Sequence, residues 1–276
     1  MSTATATQAR KAASARPGHY KLSGLIRSEW TKLRTVRSTM WTLGLTILIG
    51  VVISVISATA TRAHWSTMTP ADRVSFDPAG KSLIGVFFGQ FTIGVLGVLA
   101  MSAEYGTGTI HATLSAAPGR LRVLAAKTIV FGAIALVISE ITSFVSFFLA
   151  QALLTAPATH ATLASPGALR AVAGSGLYLC VIGLLALGIA TLIRHTAGSI
   201  SAFTGLLLVI PLIVSAFPTW LDNDLSRFMP LRIGAAMISG PPLANTFTPW
   251  TGLLVLFIYA AVVLIVSGIV LVKRDA

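Results

Sequence analysis

Few residues of this chain are of types that catalyse reactions, and their spacing matches no catalytic motif. The histidines are His19, His64, His111, His160 and His195. They lie far apart without the HExxH spacing of zinc proteases, and no GxSxG nucleophile elbow occurs. The tripeptide GKS at 80–82 ends like a phosphate-binding loop, but Ser75 stands where that loop needs its first glycine. The sequence therefore predicts that this chain is not an enzyme and binds no cofactor or metal.

One acid, Glu140, stands inside a long apolar stretch, about twelve residues or roughly 18 Å from its start. An ionised carboxylate at mid-membrane costs at least ~2.5 kcal/mol, so this group should face other helices or water, or be protonated. A carboxyl group there could relay a proton or cation, or contact a polar substrate. It could equally be a neutral group bonded to a neighbouring helix, with Gln90, Gln151 and Tyr178 as candidate polar neighbours.

The elements that carry these residues are strongly apolar. The chain has 276 residues, 55% hydrophobic and 10% charged, whereas a soluble domain carries about 25% charged residues. Its apolar residues form six blocks near the ~20 residues that a helix needs to cross a bilayer. The blocks are 41–60, 83–103, 128–154, 171–193, 197–217 and 250–272. Since no barrel-like alternation occurs, the sequence predicts an all-α polytopic membrane protein with six transmembrane helices.

The basic residues indicate how these helices are oriented. The net charge is +12, and eight of the 20 Lys and Arg residues precede the first block. Fourteen lie on that side of the membrane in all, against six on the other side. The positive-inside rule then predicts that both termini are cytoplasmic. We interpret the excess charge as an orientation signal with some attraction to the lipid bilayer, and expect no binding of nucleic acid.

The segments that flank the blocks differ in character. Residues 1–20 are predicted to be a disordered, basic tail, and 21–276 a single six-helix domain. Residues 22–39 have the pattern of a basic amphipathic helix in the headgroup region, with Trp30 as an anchor and Lys32 and Arg34 on the polar side. That segment could instead be the start of the first span. The semi-apolar loop 218–249 predicts short outer helices before span six.

The loop after the second block, 104–127, contains the most suggestive stretch. Gly108 permits a tight exit from the span, Thr109 can cap a short helix, and Ile110 and Leu114 give that helix one apolar face. A short amphipathic helix facing the cytosol would be a docking surface. A plain loop fits the residues equally well.

In these features the chain resembles the ABC-2 family of ABC-transporter permeases. The matching pieces are 25–34 before span one, 102–105 and 108–110 after span two, 118–120 with Lys127, and the closing 273–276. The resemblance implies that 22–39 is an elbow helix and that the loop from Glu104 is a coupling helix gripping a separate ATPase subunit. It also implies re-entrant outer helices, and two permease chains paired with two ATPase chains that bind the ATP and Mg.

The same resemblance implies an exporter in the plasma membrane that moves an amphipathic small molecule, peptide or lipid-like substrate outward. Its coupling residues would be Glu104, Gly108, Thr109, Ile110, His111 and Leu114. His111 stands where the family often has arginine, so a salt bridge to the ATPase is not implied there. Glu140 is not part of the family pattern, and a proton-coupled secondary transporter using Glu140 is the alternative.

Overall fold

The computed structural model describes residues 21–110 and 119–273, and all regular secondary structure in those ranges is helical. Six of the described helices are long and apolar enough to cross a membrane. They are Arg37–Thr67, Ile84–Gly106, Arg120–Leu153, Ala168–Ile193, Thr196–Val214 and Pro249–Lys273, here called spans one to six. The predicted all-α fold with six transmembrane helices is thereby confirmed. The predicted tail 1–20 lies outside the described residues.

Five shorter helices whose bounds lie within the described residues precede or connect the spans. Helix α1, Leu22–Thr35, precedes span one. Helices α2 (Pro70–Val74) and α3 (Pro78–Ser82) lie between spans one and two, and α4 (Thr219–Ser226) and α5 (Pro230–Ile238) lie between spans five and six. Proline at the first turn starts α2, α3 and α5, where the missing N–H has no intrahelical partner to lose.

Several helices extend past their predicted ends because hydropathy marks only the membrane-crossing part of a helix. Span three begins at Arg120 rather than 128, and the helix of span one runs from Arg37 to His64 rather than from 41 to 60. Backbone hydrogen bonding continues into the polar interface as long as the residues tolerate a helix. Helix α1 is shorter than the predicted 22–39, since Val36 is extended and separates it from span one.

Span five is irregular. It consists of an α-helix at Thr196–Thr204, a π-helical segment at Gly205–Val209 and a last α-helical turn at Ile210–Val214. Pro211 has no N–H to bond to the carbonyl four residues earlier, and its ring crowds that carbonyl. The wider π turn immediately before Pro211 accommodates both effects.

Span four is the centre of the bundle, with 72% of its apolar window buried against 22% for span five. It packs against spans two, three and six. Small residues permit this close packing. A side chain on Gly97 in span two would collide with the backbone carbonyl of Gly183 in span four, and one on Gly85 would collide with the backbone of Gly50 in span one.

Candidate functional site

Helix α1 lies across one end of the bundle and packs against spans three and one. We call this the basic end. It comprises α1, the end of span two, the start of span three and the end of span six. Leu25, Ile26 and Leu33 contact the hydrophobic core, while Trp30 is 48% exposed and Arg34 is also exposed. Helix α1 therefore has one face on the bundle and one face free. Its position among lipid headgroups stays a prediction.

Four charged side chains meet where α1 touches the bundle, and we call them the charge cluster. Lys127 Nζ in span three donates to Glu29 Oε2 of α1 at 2.6 Å and to Glu104 Oε1 of span two at 2.8 Å. Lys32 Nζ of α1 donates to Glu29 Oε1 at 2.7 Å and to Glu104 Oε1 at 2.9 Å. Each lysine thus bonds both acids, and the formal charges sum to zero.

The charge cluster is largely buried, and its burial determines how much it contributes to the stability of the fold. The side chains of Glu29 and Lys127 are each 4% exposed and that of Glu104 is 11% exposed. Desolvation offsets much of the attraction in such pairs, so their net contribution to stability is small, but an unpaired partner is costly. Burial lowers the pKa of Lys32, but the hydrogen bonds to Glu29 and Glu104 outweigh that effect and raise it above its usual value. Because no member can lose its partners without cost, the charge cluster fixes α1, span two and span three relative to one another.

Two members of the charge cluster, Glu29 and Lys127, were not among the predicted site residues. A signal for Glu29 was present, since it stands midway between Leu25 and Leu33 at helical spacing of four and so shares their apolar face. Lys127 directly precedes the apolar block at 128–154. An ionised residue placed on a buried face predicts a buried partner.

After Glu104, the chain passes out of the charge cluster through a short turn that contains the other described coupling residues. Glu104 is buried in the cluster, while Gly108 and Thr109 are exposed. Gly108 has φ +69°, a left-handed conformation that glycine adopts without strain. The Thr107 hydroxyl donates to Ala103 O at 2.8 Å and lies 2.9 Å from Thr109 Oγ1. Ile110 turns back into the core with 2% exposure. The predicted residues His111 and Leu114 lie outside the described residues.

The turn between spans four and five rests on the same end of span two. The Arg194 guanidinium lies 5.5 Å from the centre of the Tyr105 ring, a cation–π contact. The Thr196 hydroxyl donates to Ser102 Oγ at 3.0 Å. The end of span two therefore contacts α1, span three and the turn between spans four and five.

Glu140 lies apart from this site, with its carboxyl group against Gly176 of span four, where a side chain would overlap it. Among the described residues, Glu140 Oε2 is buried without a hydrogen-bond partner. The predicted polar neighbours bond elsewhere. Tyr178 donates to Gln90 Oε1 at 2.6 Å, and Gln151 donates to Ser82 Oγ at 2.8 Å. This geometry lends no support to a proton path through Glu140.

The opposite end of the bundle, which carries α2 to α5, is here called the capped end. Asp77 Oδ1 accepts the N–H groups of Ala79 and Gly80 and so caps α3, while Asp77 Oδ2 accepts Gly240 N–H at 2.7 Å. Arg170 Nη2 in span four donates to Ser239 O at 2.8 Å and to Gly240 O at 2.9 Å. Two polar side chains therefore hold the end of α5 against α3 and span four. Sequence reasoning missed both, although Asp before Pro is a common N-cap pattern.

Comparison with known proteins identifies the family to which this chain belongs. A family model described as "ABC-2 family transporter protein" matches residues 25–217, from α1 through span five. No curated protein matches the chain. The matched region covers more than half of the chain and contains the charge cluster, the exposed turn at Gly108 and five of the six spans. The chain therefore belongs to the ABC-2 family of transporter proteins.

Proposed function

We propose that this chain is the membrane permease of an ATP-driven exporter whose ATPase is a separate subunit. Its substrate would be an amphipathic small molecule, peptide or lipid-like compound carried outward across the plasma membrane. Family membership supports the transporter class, and the six spans support a multi-pass position in the membrane. ATP and Mg would bind to the partner ATPase rather than to this chain.

The main support for the proposal is the charge cluster, which joins the two helix ends that flank the loop 107–119. Glu104 lies in the last turn of span two and Lys127 lies near the start of span three, and their ionised groups are 2.8 Å apart. A displacement of the loop by a partner is thus transmitted to both spans and, through Glu29, to α1. Such rigid-body transmission is what a permease needs in order to respond to an ATPase that opens and closes.

The exposed turn at Gly108 and Thr109 is the proposed contact with the ATPase. It adjoins the charge cluster, so a partner bound there would act directly on the anchored spans. The excess of Lys and Arg on this side supports a cytoplasmic basic end, where ATP is available. We further propose that two permease chains, identical or different, pair in the complete transporter.

Site-directed labelling tests the orientation. Cys180 is the single cysteine of the chain and is buried, so Cys180→Ser gives a thiol-free background. A membrane-impermeant thiol reagent should label Thr107→Cys only in permeabilised cells. It should label Ser66→Cys, which is exposed at the capped end, in intact cells. Labelling of Thr107→Cys in intact cells would overturn the proposal.

Co-purification tests the partner. The intact chain should form a stable complex with a nucleotide-binding subunit and stimulate or restrain its ATP hydrolysis. Thr109→Arg should weaken that complex, whereas Thr69→Arg at the capped end should leave it unchanged. The absence of a complex with every candidate ATPase from the same cell would contradict the proposal.

A further inference from the structure

A groove of about 620 Å³ runs along the outside of the bundle, between the start of span three and the end of span six. Its lining is apolar apart from Thr128 and Lys273, and no acidic residue of the described ranges lines it. The apolar lining includes Leu121, Ala125 and Ile129 of span three and Ile265, Ile269 and Val272 of span six. All six of these side chains are exposed. The groove is therefore open to whatever surrounds the bundle.

The two walls of the groove are joined at the basic end. A side chain on Gly268 of span six would lie 3.1 Å from Leu121 Cδ2 of span three, so the two helices approach closely there. Arg120 Nη1 donates to Leu271 O at 3.0 Å and so bonds the first residue of span three to the last turn of span six. The groove is thus a feature of the folded chain that exists before anything fills it.

The basic residues of the groove stand at one of its ends. Lys273 is the last residue of span six and Arg122 is the third residue of span three, and both are exposed. Leu264 lies nine residues before Lys273, and Ile129 lies nine residues after Arg120, which is about 13 Å along each helix. That length is close to half of the ~30 Å hydrocarbon core of a bilayer. The groove therefore spans about one leaflet, with its basic residues at the outer edge.

The charges at this edge decide which lipid the groove prefers. Apolar contact alone selects no particular lipid, because every lipid tail offers the same contacts. Neither Lys273 nor Arg122 forms an ion pair with another described residue. Arg274 and Asp275 follow outside the described residues, and their formal charges cancel. Basic pockets between membrane helices attract anionic headgroups, so the edge of this groove is complementary to a phosphate that carries a net negative charge.

We propose that this groove holds an anionic phospholipid of the leaflet at the basic end. One acyl chain lies between spans three and six, and the phosphate contacts Lys273 and Arg122. Arg120 keeps its bond to span six and positions the two walls. The inference goes beyond the proposed function, because it identifies a lipid as a specific partner of this chain rather than a substrate or a subunit.

Lipid retention tests the inference. Mass spectrometry of the intact full chain, released from nanodiscs that contain equal amounts of phosphatidylglycerol and phosphatidylcholine, counts the lipids that stay bound. Retention should favour phosphatidylglycerol by at least about fivefold, the factor expected from one basic residue near the headgroup. Lys273→Gln combined with Arg122→Gln should abolish this preference. Arg27→Gln combined with Arg34→Gln removes the same charge from the exposed face of α1 and should leave the preference unchanged.

A second pair of variants tests the place of binding. Ala125→Phe, in the exposed wall of the groove, should fill it and remove the retained lipid. Ala133→Phe, which is exposed on span three but outside the groove, should retain the lipid. Ala125→Leu gives a milder filling if the larger side chain prevents folding.

Several results would overturn the inference. They are equal retention of the two lipids, retention of neither, retention that survives both fillings, and an equal loss of preference in the α1 variant and the groove variant. A dimer that becomes monomeric on Ala125→Phe would also overturn it, since a second copy of the chain would then cover the groove. Nanodiscs present the same lipids in both leaflets, so the result does not depend on which end of the bundle is cytoplasmic. The complex with the ATPase is measured separately and tests the permease proposal alone.

Discussion

The four side chains of the charge cluster depend on one another at the residue scale. Glu29 and Glu104 share the two ammonium groups, so each acid is stabilised by a base contributed from a different element. The partners are far apart in the chain, with separations of 72 residues for Lys32 and Glu104 and 98 for Lys127 and Glu29. Loss of one group therefore leaves the others with uncompensated charge.

We predict that Lys127→Met destabilises the folded chain by about 3–5 kcal/mol, because two carboxylates stay buried with only Lys32 between them. The measurement is the midpoint of thermal unfolding in detergent, followed by size-exclusion chromatography. Arg34→Met, on the exposed side of α1, is the matched control and should change stability by no more than about 0.5 kcal/mol. Equal effects of the two substitutions would show that the cluster does not anchor α1.

The buried pair of Tyr178 and Gln90 gives a second prediction. Tyr178→Phe removes the donor to Gln90 Oε1 at 2.6 Å and to Pro230 O at 3.2 Å. It should cost about 1–3 kcal/mol, because these buried acceptors lose their donor. Tyr259→Phe is the control, since its hydroxyl lies at the surface of the bundle and makes only a 3.4 Å contact. A Tyr178→Phe variant as stable as the control would contradict the assigned role of this hydrogen bond.

At the scale of elements, the capped end depends on few contacts. Asp77 both caps α3 and accepts from Gly240 N–H, while Arg170 bonds the last carbonyls after α5. Short helices have little intrinsic stability, so these side chains set the position of α3 and α5.

Asp77→Ala should therefore increase amide hydrogen exchange in 78–82 and 239–240 together, since one carboxylate serves both segments. Asp72→Ala is the control. It removes only a local acceptor of the Thr69 hydroxyl, so any faster exchange should be confined to α2. Faster exchange in 78–82 alone would mean that Asp77 does not join the two segments.

The elements differ in how far sequence could predict them. The six spans followed from hydropathy, since crossing a bilayer demands length and apolar composition together. The ends of the helices did not, because polar residues continue them outside the apolar region. The π-helical segment before Pro211 was also missed, as a proline indicates an irregularity but not how the backbone relieves it. Partners such as Glu29 and Lys127 meet only once α1 folds back, and no local pattern encodes that.

At the scale of the whole molecule, glycines in the spans determine how closely the helices approach. Span four is buried by its neighbours because residues such as Gly183 present bare backbone to them. Association in lipid relies on this close packing rather than on a hydrophobic driving force.

Gly97→Val should consequently prevent correct folding or lower stability severely, since its side chain would meet the Gly183 carbonyl. Gly44→Val in span one is the matched control, because a Cβ there meets nothing within 4 Å. The yield of monodisperse protein after detergent extraction distinguishes the two. Similar yields would show that spans two and four do not approach at Gly97.

The zero net charge and burial of the charge cluster have a consequence for how the molecule responds to ionic strength. Mobile ions screen exposed charges over about 10 Å at 0.1 M salt, but reach buried pairs poorly. Concentrated salt should thus weaken contacts that a bound subunit makes with exposed charges of the basic end, such as Arg34, while α1 stays fixed to spans two and three. A salt wash would then strip a bound subunit from this chain without loosening the chain itself.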